Sequence, residues 1–222
     1  MRGLFITFEG VEGSGKSTQL RRLSAALREA GQQVMETREP GGTSLGEAIR
    51  SILLTARNGE MTPEAELLLY LASRAQHSRE CISPALGQGV IVLCDRFADA
   101  TVAYQGYGRG LDLTLIAAMN RMAAGGLTPD LTILLDLDPR EGLSRVRERG
   151  QVPLLEPSLD RLEAEALEFH DRVRQGYLHL ARQEPHRVQV IDAMRPEKAV
   201  AKEIRERVEP LIECWTVQGR RR

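Results

Sequence analysis

The sequence predicts an α/β fold: one five-stranded parallel sheet covered by helices on both faces. Three observations carry the prediction. Strand-like and helix-like segments alternate along the 222 residues, with no internal repeat and no low-complexity linker, the order expected of parallel strands joined by crossover helices. Val90-Ile91-Val92-Leu93-Cys94 and Ile133-Leu134-Leu135 are continuous apolar runs, as strands buried on both faces require. Gly10-Val11-Glu12-Gly13-Ser14-Gly15-Lys16-Ser17 fits G-x-x-x-x-G-K-[ST] between a strand-like and a helix-like segment.

Composition narrows the functions. The length suits a single domain over residues 1–222. A net charge of −1 supplies no global field toward nucleic acid or a membrane surface, and no apolar run reaches the ~18 residues of a membrane span. Cys81, Cys94 and Cys214 are odd in number and far apart, so they make neither a metal pattern nor a disulfide framework. With no signal-like start, a cytoplasmic location is expected.

The first strand is Leu4–Phe8, short and rich in β-formers. Leu20, Leu23, Ala26 and Leu27 then recur at helical spacing. Between them, Gly10, Gly13 and Gly15 allow backbone conformations that a Cβ resists, so successive N–H groups can converge as an anion nest. The helix starting near Lys16 adds its unpaired N–H groups and the positive end of its dipole. Lys16 is placed to reach the β- and γ-phosphates and Ser17 to ligate Mg²⁺. Val11, Glu12, Ser14 and Thr18 complete the nucleotide-binding run. The alternative is a glycine-rich turn without a ligand. The loop implies a nucleoside triphosphate, not the reaction that follows.

The second strand, Gln33–Thr37, leads into Arg38-Glu39-Pro40-Gly41-Gly42-Thr43, a loop by its Pro and paired Gly. Glu39 there could meet Mg²⁺ or an acceptor, or simply belong to the turn. A helix over about Ser44 to Thr55 carries Arg50 among apolar residues, as a solvated side chain or a phosphate clamp. Pro63 to about Pro84 reads as one long helix. Tyr70 and Arg74 share one of its faces. A ring that stacks and a guanidinium that donates can read a base, although a core Tyr beside a surface Arg is the simpler reading.

The third strand, Val90–Cys94, ends in Asp95-Arg96. The acid suits a metal or its water, and the Arg suits bridging two phosphates. Between Phe97 and Gly110, Thr101, Tyr104, Gln105 and Tyr107 have the composition of a specificity pocket. The fourth strand, Leu131–Asp136, is followed by a helix opened by Pro139, with Arg145, Arg147 and Arg149 toward its end. Two prolines interrupt the next stretch before Asp160-Arg161-Leu162-Glu163 begins another helix. A flap over about 147–162 flanked by arginines reads as a lid that excludes water and neutralises phosphoryl charge. A solvated helix end balanced by Glu141, Glu148 and Glu156 is the competing reading. The last strand is Val188–Ile191; Cys214 and Trp215 pack the final helix, and a frayed tail follows from about 217. His77, His170, His179 and His186 form no spaced cluster.

Together these segments resemble the thymidylate kinase family over nearly the whole chain, through FEG-x-E-G-x-GKST, TREPGGT, DRF-x-D-x-T-x-AYQG, TPD and the DRLE after the flap. The resemblance implies a P-loop NTPase fold of the nucleoside monophosphate kinase type, in-line transfer of the γ-phosphoryl of ATP, with Mg²⁺, to dTMP, a step toward dTTP, and a homodimer. It implies that Arg50 and Arg96 hold the dTMP phosphate, and that Glu39 and Asp95 organise Mg²⁺ or its waters. Tyr70 would stack on thymine, Arg74 bond its carbonyl edge, and Thr101 and Gln105 complete base reading. Tyr104 would exclude a ribose 2′-hydroxyl, with Glu12 near the sugar. The phosphate loop has no basic residue at Val11, Glu12 or Ser14. That resembles the bacterial subclass, in which lid arginines serve catalysis; Arg147, Arg149 and Arg161 are the candidates. Tyr70 stands where the family usually has Phe, Phe97 replaces Tyr or His, Ala100 replaces Ser, and the flap is longer. Another nucleotide or nucleoside kinase of this fold is the nearest rival. A GTPase switch would need N-K-x-D, which does not occur.

Overall fold

The structure is a computed structural model and describes residues 2–55, 58, 60–150 and 160–220. Its five strands are β1 (Phe5–Glu9), β2 (Val34–Arg38), β3 (Ile91–Asp95), β4 (Leu131–Asp136) and β5 (Val188–Asp192). They lie in the order β2-β3-β1-β4-β5, and every pairing is parallel. The three inner strands are buried along nearly their whole length, polar Thr7, Glu9 and Thr132 included, because only they are covered on both faces. Side chains alternate across the sheet. Leu4, Ile6 and Phe8 join Leu20, Leu23 and Leu27 in one core, whereas Phe5 joins Val92, Ile82, Leu86 and Phe97 in another. Each predicted strand is found, but β1, β2 and β3 start and end one residue later than expected. The shift places Glu9 in β1, opposite Leu134 of β4.

The helices are α1 (Lys16–Glu29), α2 (Ser44–Leu54), α3 (Pro63–His77), α4 (Ser83–Gly87), α5 (Ala98–Thr101), α6 (Leu113–Ala123), α7 (Pro139–Gly150), α8 (Leu167–Gln183) and α9 (Glu197–Arg220). The long helix expected from Pro63 onward is continuous as far as Gly87, with a π-helical turn, Ser78–Ile82, between α3 and α4. A second π-helical stretch, Val102–Gly108, follows α5. It packs on α8, where the Tyr104 ring meets Phe169 and Tyr177 edge-on at 6.1 and 6.2 Å.

One expectation at a helix end is corrected. No helix begins at Asp160. The Asp160 carboxylate instead accepts from the N–H groups of Leu162 (2.9 Å) and Glu163 (2.8 Å), closing a turn, and α8 starts at Leu167. α9 runs to Arg220, into the stretch expected to fray from about 217. Trp215 fastens it by donating from Nε1 to the Arg2 carbonyl at 2.8 Å. No helix among the described residues is long and apolar enough to cross a membrane.

The topology fixes where a ligand sits. From β1 the chain crosses to β2 at one edge, while from β3 it crosses the other way to β4. Neighbouring strands whose connections diverge leave a crevice beyond their carboxyl ends. The loops after β1 and β3 meet there.

Candidate active site

The phosphate loop leaves β1 at Gly10 and ends in α1. Gly13 has φ 70°, and a Cβ there would come within 2.2 Å of the Gly142 carbonyl oxygen. Gly142 has the reciprocal constraint, since its Cβ would meet the Glu12 carbonyl oxygen at 2.2 Å. Two glycines thus let α7 pass against the loop backbone. The residue preceding α1, Gly15, offers no side chain to cap the first turn, which also holds no acid. The helix N–H groups remain available to an anion. Lys16 lies back over the loop, donating to the carbonyls of Val11 (2.9 Å) and Gly10 (3.1 Å). Burial, with the charge of Arg96, brings its ammonium down to about 8. Ser17 donates to Asp95 Oδ2 at 2.5 Å. Thr18 is half-buried in the same turn.

Beyond the loop lies a cavity of about 340 Å³. The structure brings to it Glu12, Gly13, Lys16, Ser17, Glu39, Arg50, Tyr70, Asp95, Arg96, Thr101, Tyr104 and Gln105. Arg50, left open by its sequence context, donates to the Pro40 carbonyl at 3.0 Å on the cavity wall. Arg96 sits at φ 72°, unusual for a residue with a Cβ. It donates to Glu12 at 2.8 Å and to the Tyr177 hydroxyl at 3.3 Å, and its guanidinium lies 4.7 Å from the Tyr104 ring centroid. The Tyr104 hydroxyl donates to the other Glu12 oxygen. Burial works to raise the Glu12 carboxyl, but Arg96, Lys16 and the Tyr104 hydrogen bond together hold it below its ordinary value.

Other side chains are placed differently from the sequence reading. Arg74 is not among the lining residues. It is 1 % exposed and donates to Glu39 (2.8 Å), Thr101 (2.8 Å), Asn120 (2.6 Å) and the Phe97 carbonyl (2.9 Å). It is therefore no surface Arg, and its contact with the cavity runs through Thr101 and Glu39. Glu39 has one oxygen on Arg74 and the other 3.1 Å from His77 Nδ1, so neither oxygen is left unengaged. His77 continues the chain to Thr37 at 2.6 Å.

Among the lid candidates, Arg147 is exposed on α7 and outside the cavity wall, the side chain of Arg149 and residues 151–159 lie outside the described residues, and Arg161 is buried away from the wall. Arg161 donates from Nε to the Leu53 carbonyl at 2.9 Å and pairs with Glu66 at 2.6 Å. That geometry ties Arg161, in the segment after the flap, to Leu53 and Glu66, away from the cavity wall. From that segment, Asp160, Leu162 and Glu163 line the cavity instead.

Sequence reasoning missed Glu9. It is wholly buried and accepts from the Phe97 N–H and the Tyr177 hydroxyl, each at 2.7 Å. Burial, reinforced by Asp99, pushes its carboxyl up to about 8. The rule that an acid ends a buried strand, applied to Asp95 and Asp136, would have found it. Glu66 was also missed, because an acid in the first turn of a helix is ordinary.

Among the described residues, no three His, Cys, Asp or Glu side chains converge as a metal cage. The Ser17–Asp95 pair nonetheless offers the hard oxygen donors that suit Mg²⁺, an ion that keeps several waters and shares substrate phosphates.

Comparison with known proteins agrees with this geometry. The family model described as thymidylate kinase matches residues 8–204. A thymidylate kinase of Solidesulfovibrio magneticus is 56 % identical over 201 residues, 90 % of this chain and 96 % of that one. One of Pelotomaculum thermopropionicum is 49 % identical over 97 % of each. The crystal structure of thymidylate kinase from Ehrlichia chaffeensis superposes with a TM-score of 0.75 at 36 % identity, covering 94 % of this chain and 99 % of that one. The chain belongs to the thymidylate kinase family.

Proposed function

We propose that the protein transfers the γ-phosphoryl group of ATP to dTMP, giving dTDP and ADP, within the cavity described above. One observation carries the reading: a triphosphate loop and an acceptor wall of Tyr70, Arg96, Thr101, Tyr104 and Gln105 open onto the same space. Its volume suits one mononucleotide. The loop N–H groups and Lys16 hold the donor phosphates. Arg96 and Arg50 hold the acceptor phosphate, Tyr70 stacks on the base, and the Tyr104 ring closes the sugar face against a 2′-hydroxyl. Glu12 fixes Arg96 and stands beside the sugar. An acceptor phosphate oxygen is already nucleophilic, so no strong base is required. The work is alignment and charge stabilisation.

Mg²⁺ arriving with ATP would be held by Ser17 and Asp95 and would supply positive charge to offset that of the transferring phosphoryl group. Glu39, whose oxygens are engaged by Arg74 and His77, contributes by holding the wall rather than as a ligand. The lid contribution falls to Arg147 or Arg149.

Exposed apolar residues on α2, α3 and α6, among them Ile52, Leu68, Leu115 and Met122, favour a homodimer, which sedimentation at micromolar concentration tests. On α3, Leu68 is exposed, whereas Leu67 and Leu71 are buried within the chain. Free thiols at Cys81 and Cys94 favour the cytoplasm.

ADP release with a panel of monophosphates tests the reaction. dTMP is the preferred acceptor. dUMP, lacking one methyl worth about 1–3 kcal/mol, remains detectable, and dCMP is rejected by roughly 10⁴-fold or more. Equal rates with dCMP, or ADP release that ignores the acceptor, would overturn the reading.

A further inference from the structure

Glu66 opens α3 and has no exposed surface, a place where a carboxylate is costly unless fully paired. Its Oε1 accepts from Gln105 Nε2 at 2.7 Å and from Arg109 Nε at 3.3 Å. Its Oε2 faces Arg109 Nη2 at 3.0 Å and Arg161 Nη2 at 2.6 Å. Both arginines are themselves fixed. Arg109 pairs with Glu165 at 2.6 Å and lies over the Phe169 ring at 4.6 Å, and Arg161 is tied to the Leu53 carbonyl. Burial works to raise the Glu66 carboxyl, but the bonds from Arg109 and Gln105 and the charges of Arg109 and Arg161 outweigh it. Glu66 is an anion at neutral pH.

An anionic carboxylate only accepts hydrogen bonds. Gln105 must therefore turn its NH₂ toward Glu66. Its carbonyl oxygen Oε1 is then the acceptor that remains, on a side chain that lines the cavity. Turning the amide over would set two acceptors face to face in a buried site, which costs an unmade hydrogen bond and adds repulsion.

We propose that Glu66 is a specificity-positioning residue, which pins Gln105 so that Oε1 meets the acceptor base as a fixed hydrogen-bond acceptor. Such a wall selects a pyrimidine whose N3 carries hydrogen, as thymine and uracil do, over cytosine, whose N3 is itself an acceptor. The inference rests on the dTMP reading above. Nothing in it discriminates the thymine methyl.

Steady-state ADP release with Glu66→Gln tests it. A neutral amide at 66 can donate or accept, so the Gln105 amide is released. The dTMP/dCMP ratio of kcat/KM should fall at least ~10-fold, with the dTMP/dUMP ratio unchanged and KM for dTMP rising more than kcat falls. Gln105→Leu should lower the same ratio, and adding Glu66→Gln to it should change the ratio no further, since the two residues act as one. A wild-type dTMP/dCMP ratio in Glu66→Gln, or an equal drop in the Gln105→Leu background, would overturn the proposal. If Glu66→Gln does not fold, Glu66→Asp, which keeps the charge but shortens the reach, is judged by the same ratio. Failure of both to fold would assign Glu66 to the fold alone and overturn the proposal. Failure of the dTMP reading looks different: the unsubstituted protein would itself use dCMP as well as dTMP.

Discussion

Arg96 donates to Glu12 across 2.8 Å, and this pair joins the end of β3 to the phosphate loop. In the proposed reaction, the loop assigned to the donor thus also orients the cation assigned to the acceptor. Arg96 keeps its left-handed backbone because Glu12, Tyr177 and the Tyr104 ring fix its side chain from three sides.

Removing Glu12 should misplace that guanidinium without touching the donor site's main-chain amides. Glu12→Ala is expected to raise KM for dTMP about 10- to 100-fold, as loss of a charge-assisted bond would, with a smaller change in KM for ATP. Arg96→Lys should fail to restore wild-type kcat, because an ammonium cannot replace a forked, stacked guanidinium. Initial rates with each substrate varied check both, and equal increases in the two KM values would contradict the assignment.

Arg161 separates anchoring from catalysis. Arg161→Ala breaks a buried ion pair with Glu66 and frees the Leu53 carbonyl. A loss of about 3–5 kcal/mol in unfolding free energy is expected, while kcat per folded molecule stays within about threefold. Urea unfolding alongside activity checks this. Unchanged stability with a collapsed kcat would return Arg161 to the phosphoryl group.

Glu9 gives the protein a pH signature. Its carboxyl lies at about 8 when folded against an ordinary value of 4.5, so the folded state binds the proton more tightly than the unfolded state. That contribution to stability is complete below pH 4.5 and is lost as pH rises through 8. Glu9→Gln cannot titrate and should flatten the stability profile across this window. Chemical unfolding at pH 5 and pH 8 for both proteins checks it; identical slopes would contradict the assignment.

How much of this was legible in the sequence depends on the range of the interaction. The strands and the phosphate loop are local patterns, and Ile91 to Cys94 or Gly10 to Ser17 declare themselves without neighbours. Asp95 and Arg96 were legible because their position at a strand end has topological meaning. Arg74 was misjudged as a surface residue because its partners Glu39, Thr101 and Asn120 are 27 to 46 residues away. The contacts of Arg161 were not legible for the same reason: charge next to a flap suggests phosphate, and only the fold reveals Glu66 and Leu53 beside it. The π-helical stretches left no periodic signal, since two extra-wide turns inside helical sequence keep helical composition.

The most direct measurement is a crystal structure with dTMP and ADP bound. The account predicts the dTMP phosphate between Arg96 and Arg50, opposite Lys16 and in line with the ADP β-phosphate, and thymine against the Tyr70 ring. A monophosphate seated elsewhere, or with its base at the loop and its phosphate at Tyr70, would contradict it.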